Sequence, residues 1–278
     1  MERTWPNGKP LAISITLMCE AGGEVWPGAT GIAPLAGVPL GDAPRDFPSE
    51  SYYAYGTREG IPAMLELFDH HGVKVTAFLV GRAVEAAPDL FRDLAHRGHE
   101  LAGHGYEWGP NQAAMSLEEE DEFIAKTVAA VESATGVSPR GWNCFALRRS
   151  PNTLSLLRKH GFTYHIDDVS ADDAFTVDVD GAPFAVVPYT FHMNDLMMYE
   201  FQGLSTADWA DTARREFDEL RRSAQSRRRL MTISCHDRVI SRPARRHALS
   251  EFLDYARQFE DVWFATRGEL AQAVLDSR

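Results

Sequence analysis

The chain has 278 residues, 44% of them hydrophobic and 24% charged, with a formal net charge of −12 and a pI of about 5.3. This is ordinary globular composition, enough for one large barrel or two small domains. The acidic balance argues against a nucleic-acid partner, because phosphate binding needs a basic face. No apolar run approaches the ~18–20 residues of a membrane span, so no membrane partner is expected. Residues 1–10 lack the apolar core of a secretion signal. Cys19, Cys144 and Cys235 have no metal-finger spacing. Together these features lead to the expectation of a cytoplasmic protein with buried, unreactive thiols.

Strand-like and helix-like segments alternate along the chain. Residues 11–18 are short, apolar and β-branched, as in a buried strand. Residues 20–58, rich in Gly and Pro, read as a long loop at the mouth of the fold. A helix is expected over 59–70, a strand over 73–80, a helix over 83–96 and a short strand over 100–103. Ser116 and Glu119 form a capping box for a helix over 117–134, which Gly136 ends. Residues 139–143 make a strand, and Ser150-Pro151 begins the next helix. A strand over 162–166 follows. Asp180-Gly181 joins the runs 175–179 and 183–188 as a hairpin. A helix over 206–222, a strand over 230–235, a helix over 245–258 and a strand over 261–265 lead to a last helix, capped by Thr266 and Glu269. This alternation predicts a single-domain α/β fold, a parallel barrel with its helices outside.

In such barrels the site lies beyond the carboxyl ends of the strands. Those ends carry Cys19-Glu20, then His104 to Trp108, Cys144-Phe145 with Arg148 close by, Asp167-Asp168, Pro188 to Asp195, and His236-Asp237-Arg238. Carboxylates, two histidines and several arginines therefore converge on one rim. His99 lies at the start of its strand, the wrong end. The acids at 167, 168, 172 and 173 read as a solvated loop, or as holders of a histidine or arginine.

The stretch GVKVTAFLVGRAVEAAPDLFRDLAHRGHELAGHGYEW resembles the core of the polysaccharide deacetylase superfamily (carbohydrate esterase family 4). SYYAYGTREG at 51–60, GW at 141–142 followed by RRSPNT, VPYTFHMND at 187–195 and MTISCHDRVISRPARR at 231–246 are similar to its cofactor-independent allantoinase branch. The resemblance implies a deformed (β/α)7-type barrel, of about seven strands. In metal-dependent members an Asp and a His-x-x-x-His pair bind the ion, a second Asp is the base, and a late His is the acid. Here Glu20 stands for the ligand Asp, Met18 for the base, His104 for the first His, Trp108 for the second and His236 for the acid. Glu107 is one position off. Two ligands fall short of the three usual for catalytic zinc. No cofactor is therefore expected; the alternative is a single divalent ion such as zinc, on Glu20 and His104.

The expected catalytic residues are Glu20 or His104, assisting water, and His236, protonating the departing nitrogen. The expected substrate contacts are Arg148, Asn194, Asp195, Arg238, Arg242, Trp108 and Trp142. The reaction expected is hydrolysis of a non-peptide carbon–nitrogen bond in a small ureide, amide or cyclic imide. SRPARR and GWNCFALRR depart from the branch's usual patterns, which points to a substrate more apolar than allantoin. The alternatives are a metal-dependent deacetylase of N-acetyl sugars or peptidoglycan, and a non-catalytic binding protein on a decayed fold. The expected partners are a small molecule and further copies of the chain, as a dimer or tetramer.

Overall fold

Residues 11–19 hold no charge, Gly or Pro, and in the computed structural model all nine are buried as β1 (Leu11–Cys19). The structure describes residues 3–21, 45–108 and 112–277. A strand apolar on both faces belongs inside a covered parallel sheet. Alternate side chains divide accordingly. Leu11, Ile13, Ile15, Leu17 and Cys19 pack outward under the helices, while Ala12 and Met18 face the barrel interior.

The remaining strands are β2 (Thr76–Leu79), β3 (Glu100–Gly103), β4 (Gly141–Trp142), β5 (Tyr164–His165), β6 (Phe175–Val179), β7 (Ala182–Val186), β8 (Arg229–His236) and β9 (Val262–Phe264). The sheet runs β6-β7-β5-β4-β3-β2-β1-β8, and β9 pairs with β1 at Leu11–Ile13. From β7 to β8 this makes seven parallel strands; β6 is added outside as the antiparallel arm of a hairpin. Asp180 and Gly181 both have positive φ (51° and 78°), the geometry a two-residue hairpin demands. The fold is therefore a single-domain α/β deformed barrel. Its seam between β7 and β8 is closed by a loop. Ser234 N–H donates to the Met193 carbonyl at 3.0 Å, and the hydroxyls of Tyr189 and Ser234 meet at 2.6 Å.

Helices α1 (Phe47–Tyr55), α2 (Ile61–His71), α3 (Gly81–Ala86), α4 (Pro88–His96), α5 (Leu117–Thr135), α6 (Thr153–Lys159), α7 (Thr206–Ser223), α8 (Pro243–Ala256) and α9 (Arg267–Asp276) complete the described residues. The expected capping boxes form at Ser116/Glu119 and Thr266/Glu269, and Gly136 ends α5 in the left-handed conformation. None of these helices is long and apolar enough to cross a membrane.

Several boundaries differ from expectation. The loop expected over 20–58 is helical from 47 onward: Asp46 caps α1 through Ser49, and a π-helical turn, Gly56–Gly60, runs into α2. Residues 22–44 lie outside the described residues. The helix expected over 83–96 is two helices. Pro88 excludes Ala87 from helical geometry (φ −142°, ψ 57°). Ser150-Pro151 does not open a helix, because Ser150 and Thr153 both turn their hydroxyls onto buried Glu120 and delay the start to Thr153.

Candidate active site

Four strands end on one cavity. Glu20 follows β1, His104 follows β3, Asn143 follows β4, and His236 ends β8. The cavity measures about 210 Å³ and lies between these groups, Met18, Trp108, Tyr189, Asn194 and an apolar wall. Phe145, Ala146, Leu147, Leu196 and Met197 form that wall, with Phe191 and Phe201 beside them. A larger open hollow of about 580 Å³ by Arg3, Arg221, Arg222 and Asp261 holds no histidine and no buried charge.

Glu20 is nearly inaccessible and sits among three cationic or proton-bearing groups. Arg238 Nη1 donates to its Oε2 at 2.5 Å. Oε1 lies 3.2 Å from His104 Nε2 and 3.8 Å from His236 Nε2. Burial alone would push this carboxyl up. Arg238, His236 and His104 outweigh burial and hold it at about 2. His104 Nδ1 is 2.9 Å from the Asn143 carbonyl oxygen, which can only accept. Nδ1 therefore carries a proton, and Nε2 faces Glu20.

His236 is held differently. Its Nδ1 donates to Asp195 Oδ1 at 2.6 Å, leaving Nε2 turned toward Glu20. Burial pulls this imidazole down, but Asp195 and Glu20 prevail and raise its pKa above 6.5. Asp195 is fully buried and saturated. Oδ1 also accepts from Leu196 N–H at 2.8 Å, and Oδ2 accepts from the N–H groups of His236 and Ile240 at 2.8 and 2.9 Å. It orients a histidine and has no capacity left for substrate, a correction to the expected contact.

Arg238 is also corrected. Its guanidinium is fully buried, bonded to Glu20 and Asp237, and lies 4.2 Å over the Tyr53 ring and 5.4 Å over that of Trp108. Burial works against the charge, and Glu20, Tyr53 and Asp237 push its pKa up instead. Arg238 clamps Glu20 and does not line the cavity. Asp237 in turn receives the backbone N–H groups of Glu20 and Ala21 at 2.8 and 3.0 Å. The GTREG turn packs on it so closely that a Cβ on Gly60 would stand 1.8 Å from the Asp237 carbonyl oxygen.

The other expected contacts divide. Trp108 and Asn194 line the cavity. Asn194 spends its side chain on the Tyr189 hydroxyl (3.0 Å) and on Met197 N–H (3.1 Å). Trp142 is buried in the outer core with Phe162 and Leu157, because strand parity turns it away and turns Asn143 inward. Arg148 is exposed on a turn outside the cavity. Arg242 stacks 3.6 Å over the Tyr55 ring, also outside. The acid cluster disperses. Asp167 holds the Asn143 side chain (2.6 Å) and Cys144 N–H (2.9 Å), Asp168 caps Ser170, and Asp173 pairs with Arg228.

Sequence reading gave no role to Asn143, Tyr189, Asp237 or the apolar wall, although Tyr189, Asp237 and Phe145 stood among its strand-end residues. The wall carries backbone strain. Ala146 and Leu147 are left-handed (φ 53° and 60°), a conformation that costs non-glycine residues on the order of 1 kcal/mol each.

For a metal ion the donor set falls short. No group of three His, Cys, Asp or Glu among the described residues is arranged to hold one. Glu20 already gives one oxygen to Arg238 and shares the other with His104, and position 108 is a tryptophan.

Three comparisons bear on this arrangement. A family model described as polysaccharide deacetylase matches residues 51–165. A crystal structure of PuuE allantoinase superposes with a TM-score of 0.90 at 29% identity, covering 100% of this chain and 94% of that one. A Pseudomonas aeruginosa PAO1 structure, provisionally named a polysaccharide deacetylase, superposes with a TM-score of 0.91 at 30% identity, covering 100% and 95%. A Schizosaccharomyces pombe protein, also provisionally named a polysaccharide deacetylase, is 29% identical over 97% of this chain and 91% of its own length.

Proposed function

The chain belongs to the polysaccharide deacetylase family, and from that premise we propose that it hydrolyses a carbon–nitrogen bond in a small ureide, amide or cyclic imide without a metal ion. The observation that carries this reading is His236. Its Nδ1 is fixed on saturated Asp195, and it borders a cleft of about 210 Å³ whose walls are mostly apolar. That volume suits a small molecule better than a polymer chain.

In this reading His236 Nε2 takes a proton from water as the water oxygen adds to the carbonyl carbon. The resulting imidazolium returns that proton to the nitrogen as the carbon–nitrogen bond breaks, leaving an acid and an amine, joined in one molecule if the substrate is a ring. A carboxyl held at about 2 is a poor base, and both His104 ring nitrogens are engaged, so in this reading the water-assisting role expected of Glu20 or His104 passes to His236. Glu20 instead holds the His104 ring in register through Nε2. Tyr189 lines the same cavity, and its hydroxyl is the donor for the developing oxyanion when Ser234 donates in the bond they share. A homo-oligomer and a cytoplasmic location accompany the reading as proposals, open to light scattering and cell fractionation.

The test is a panel of allantoin, hydantoin, succinimide and formamides, assayed with and without chelator. Turnover of at least one compound that survives chelation and is abolished in His236→Ala is expected. A folded protein that turns over none of them would sink the proposal. The family's name favours a second reading, metal-dependent removal of N-acetyl groups from sugars. Zinc-dependent turnover of N-acetylglucosamine oligomers would select that one.

A further inference from the structure

The catalytic cavity is unevenly built, and its apolar side has no part in the chemistry described above. We propose that this side is a subsite for an aromatic or branched-aliphatic substituent on an uncharged substrate, held by Phe145, Leu147, Met197 and Phe201. The inference rests on the functional reading above and deepens it.

Charge supports the first half. Among the described residues lining the cavity, the ionisable side chains are Glu20, His104, His236 and Tyr189. Glu20 engages His104, and Asp195 engages His236. Arg238 gives Nη1 to Glu20 and Asp237 from behind the cavity wall, and it does not line the cavity; Arg148 and Arg242 also stand outside. A substrate carboxylate would enter a small, largely apolar space beside the carboxylate of Glu20, with no arginine or lysine among the described lining residues to meet it, at a large desolvation cost. A neutral amide or imide bears no such cost. Its acid product is anionic, and the same repulsion favours release.

The wall supports the second half. Ala146 and Leu147 keep left-handed backbone where ordinary turn geometry would be easier, and strain of this kind persists where it serves a site. Phe201 lies beside the cavity yet is 57% exposed, and Phe191 is 49% exposed. An apolar group bound there would cover surface that is otherwise left in water.

The experiment compares hydantoin, a phenyl-substituted hydantoin and a carboxymethyl hydantoin. It measures kcat and KM on the wild type, and dissociation constants by calorimetry on His236→Ala. Burying a phenyl group predicts a KM and a Kd at least about tenfold lower than for the parent. The carboxymethyl compound is expected to bind at least about tenfold more weakly than the parent. Phe201→Ala and Leu147→Ala should bring the phenyl-to-parent ratio close to one. A parent that binds as well as the phenyl compound overturns the proposal. So does tightest binding of the carboxylate, no detectable binding of the phenyl compound, or a Phe201→Ala variant that changes only the oligomeric state. Absence of turnover would defeat the functional reading alone, since the Kd ratio still decides the subsite.

Discussion

Arg238→Met tests the electrostatic arrangement most directly. The substitution keeps an unbranched side chain in a fully buried place and removes the cation that meets both Glu20 and Asp237. Glu20 is lowered from 4.5 to about 2, which is worth about 3 kcal/mol of stability at neutral pH. The sign follows from the lowered folded value: this contribution is complete above 4.5 and is lost as pH falls through 4.5 toward about 2. Without Arg238, burial pushes the Glu20 carboxyl up, and Asp237 keeps only its backbone N–H donors and no counter-charge. Removing one member of a buried pair costs about 3–5 kcal/mol. For 278 residues this amounts to a Tm lower by roughly 5–9 °C. Calorimetry at neutral pH should show that loss, and the gap to wild type should narrow through the acid range. Glu20→Gln combined with Arg238→Met should be more stable than Arg238→Met alone, since no uncompensated charge remains at Glu20. A single variant within about 1 kcal/mol of wild type, or a gap independent of pH, would refute the reasoning.

Asp195→Asn removes the main influence that raises His236, so the ascending limb of the pH–rate profile, expected above 6.5, should move down. kcat should fall about a hundredfold or more; an unmoved midpoint would show that His236 is not the titrating base. Gly60→Ala places a methyl group 1.8 Å from the Asp237 carbonyl oxygen. The expected cost is about 2–4 kcal/mol in urea unfolding, and a loss below about 1 kcal/mol would mean that this contact yields freely. Burial pushes the thiols of Cys19, Cys144 and Cys235 well up. A thiol-specific chromogenic reagent should therefore label none of the three in native protein and all of them in guanidinium. Labelling without denaturant would contradict the burial.

Much of the fold was legible because its signals are local. The β-branched run of β1, the capping boxes at Ser116 and Thr266, and the Asp180-Gly181 turn each need only a few neighbouring residues to act. Reading strand ends in order was enough to bring Glu20, His104 and His236 to one rim. The errors arose where a local signal met a distant partner. Ser150 has the look of a helix start, but Glu120 from another helix claims its hydroxyl. Asp195 looks like a polar loop residue, but two hydrogen bonds from His236, 41 residues later, and one from Ile240, with a fourth from the adjacent Leu196, consume it.

By itself, then, the order of residues determined the alternation of strands and helices, the end of the barrel that carries polar groups and, set against the family it resembles, the absence of the base Asp at position 18 and of the second ligand His at position 108. Only the tertiary structure decided which of those groups open onto the cavity and which are consumed in holding it. Trp142 and Asn143 are adjacent in sequence, yet one is core and the other cavity wall. Arg238 follows His236 by two positions, yet pairs with a carboxylate at the end of another strand. The physical reason is that a buried charge must find its counter-charge wherever the barrel's curvature brings one within reach. That reach is a property of strand register and parity, which no short window of sequence contains.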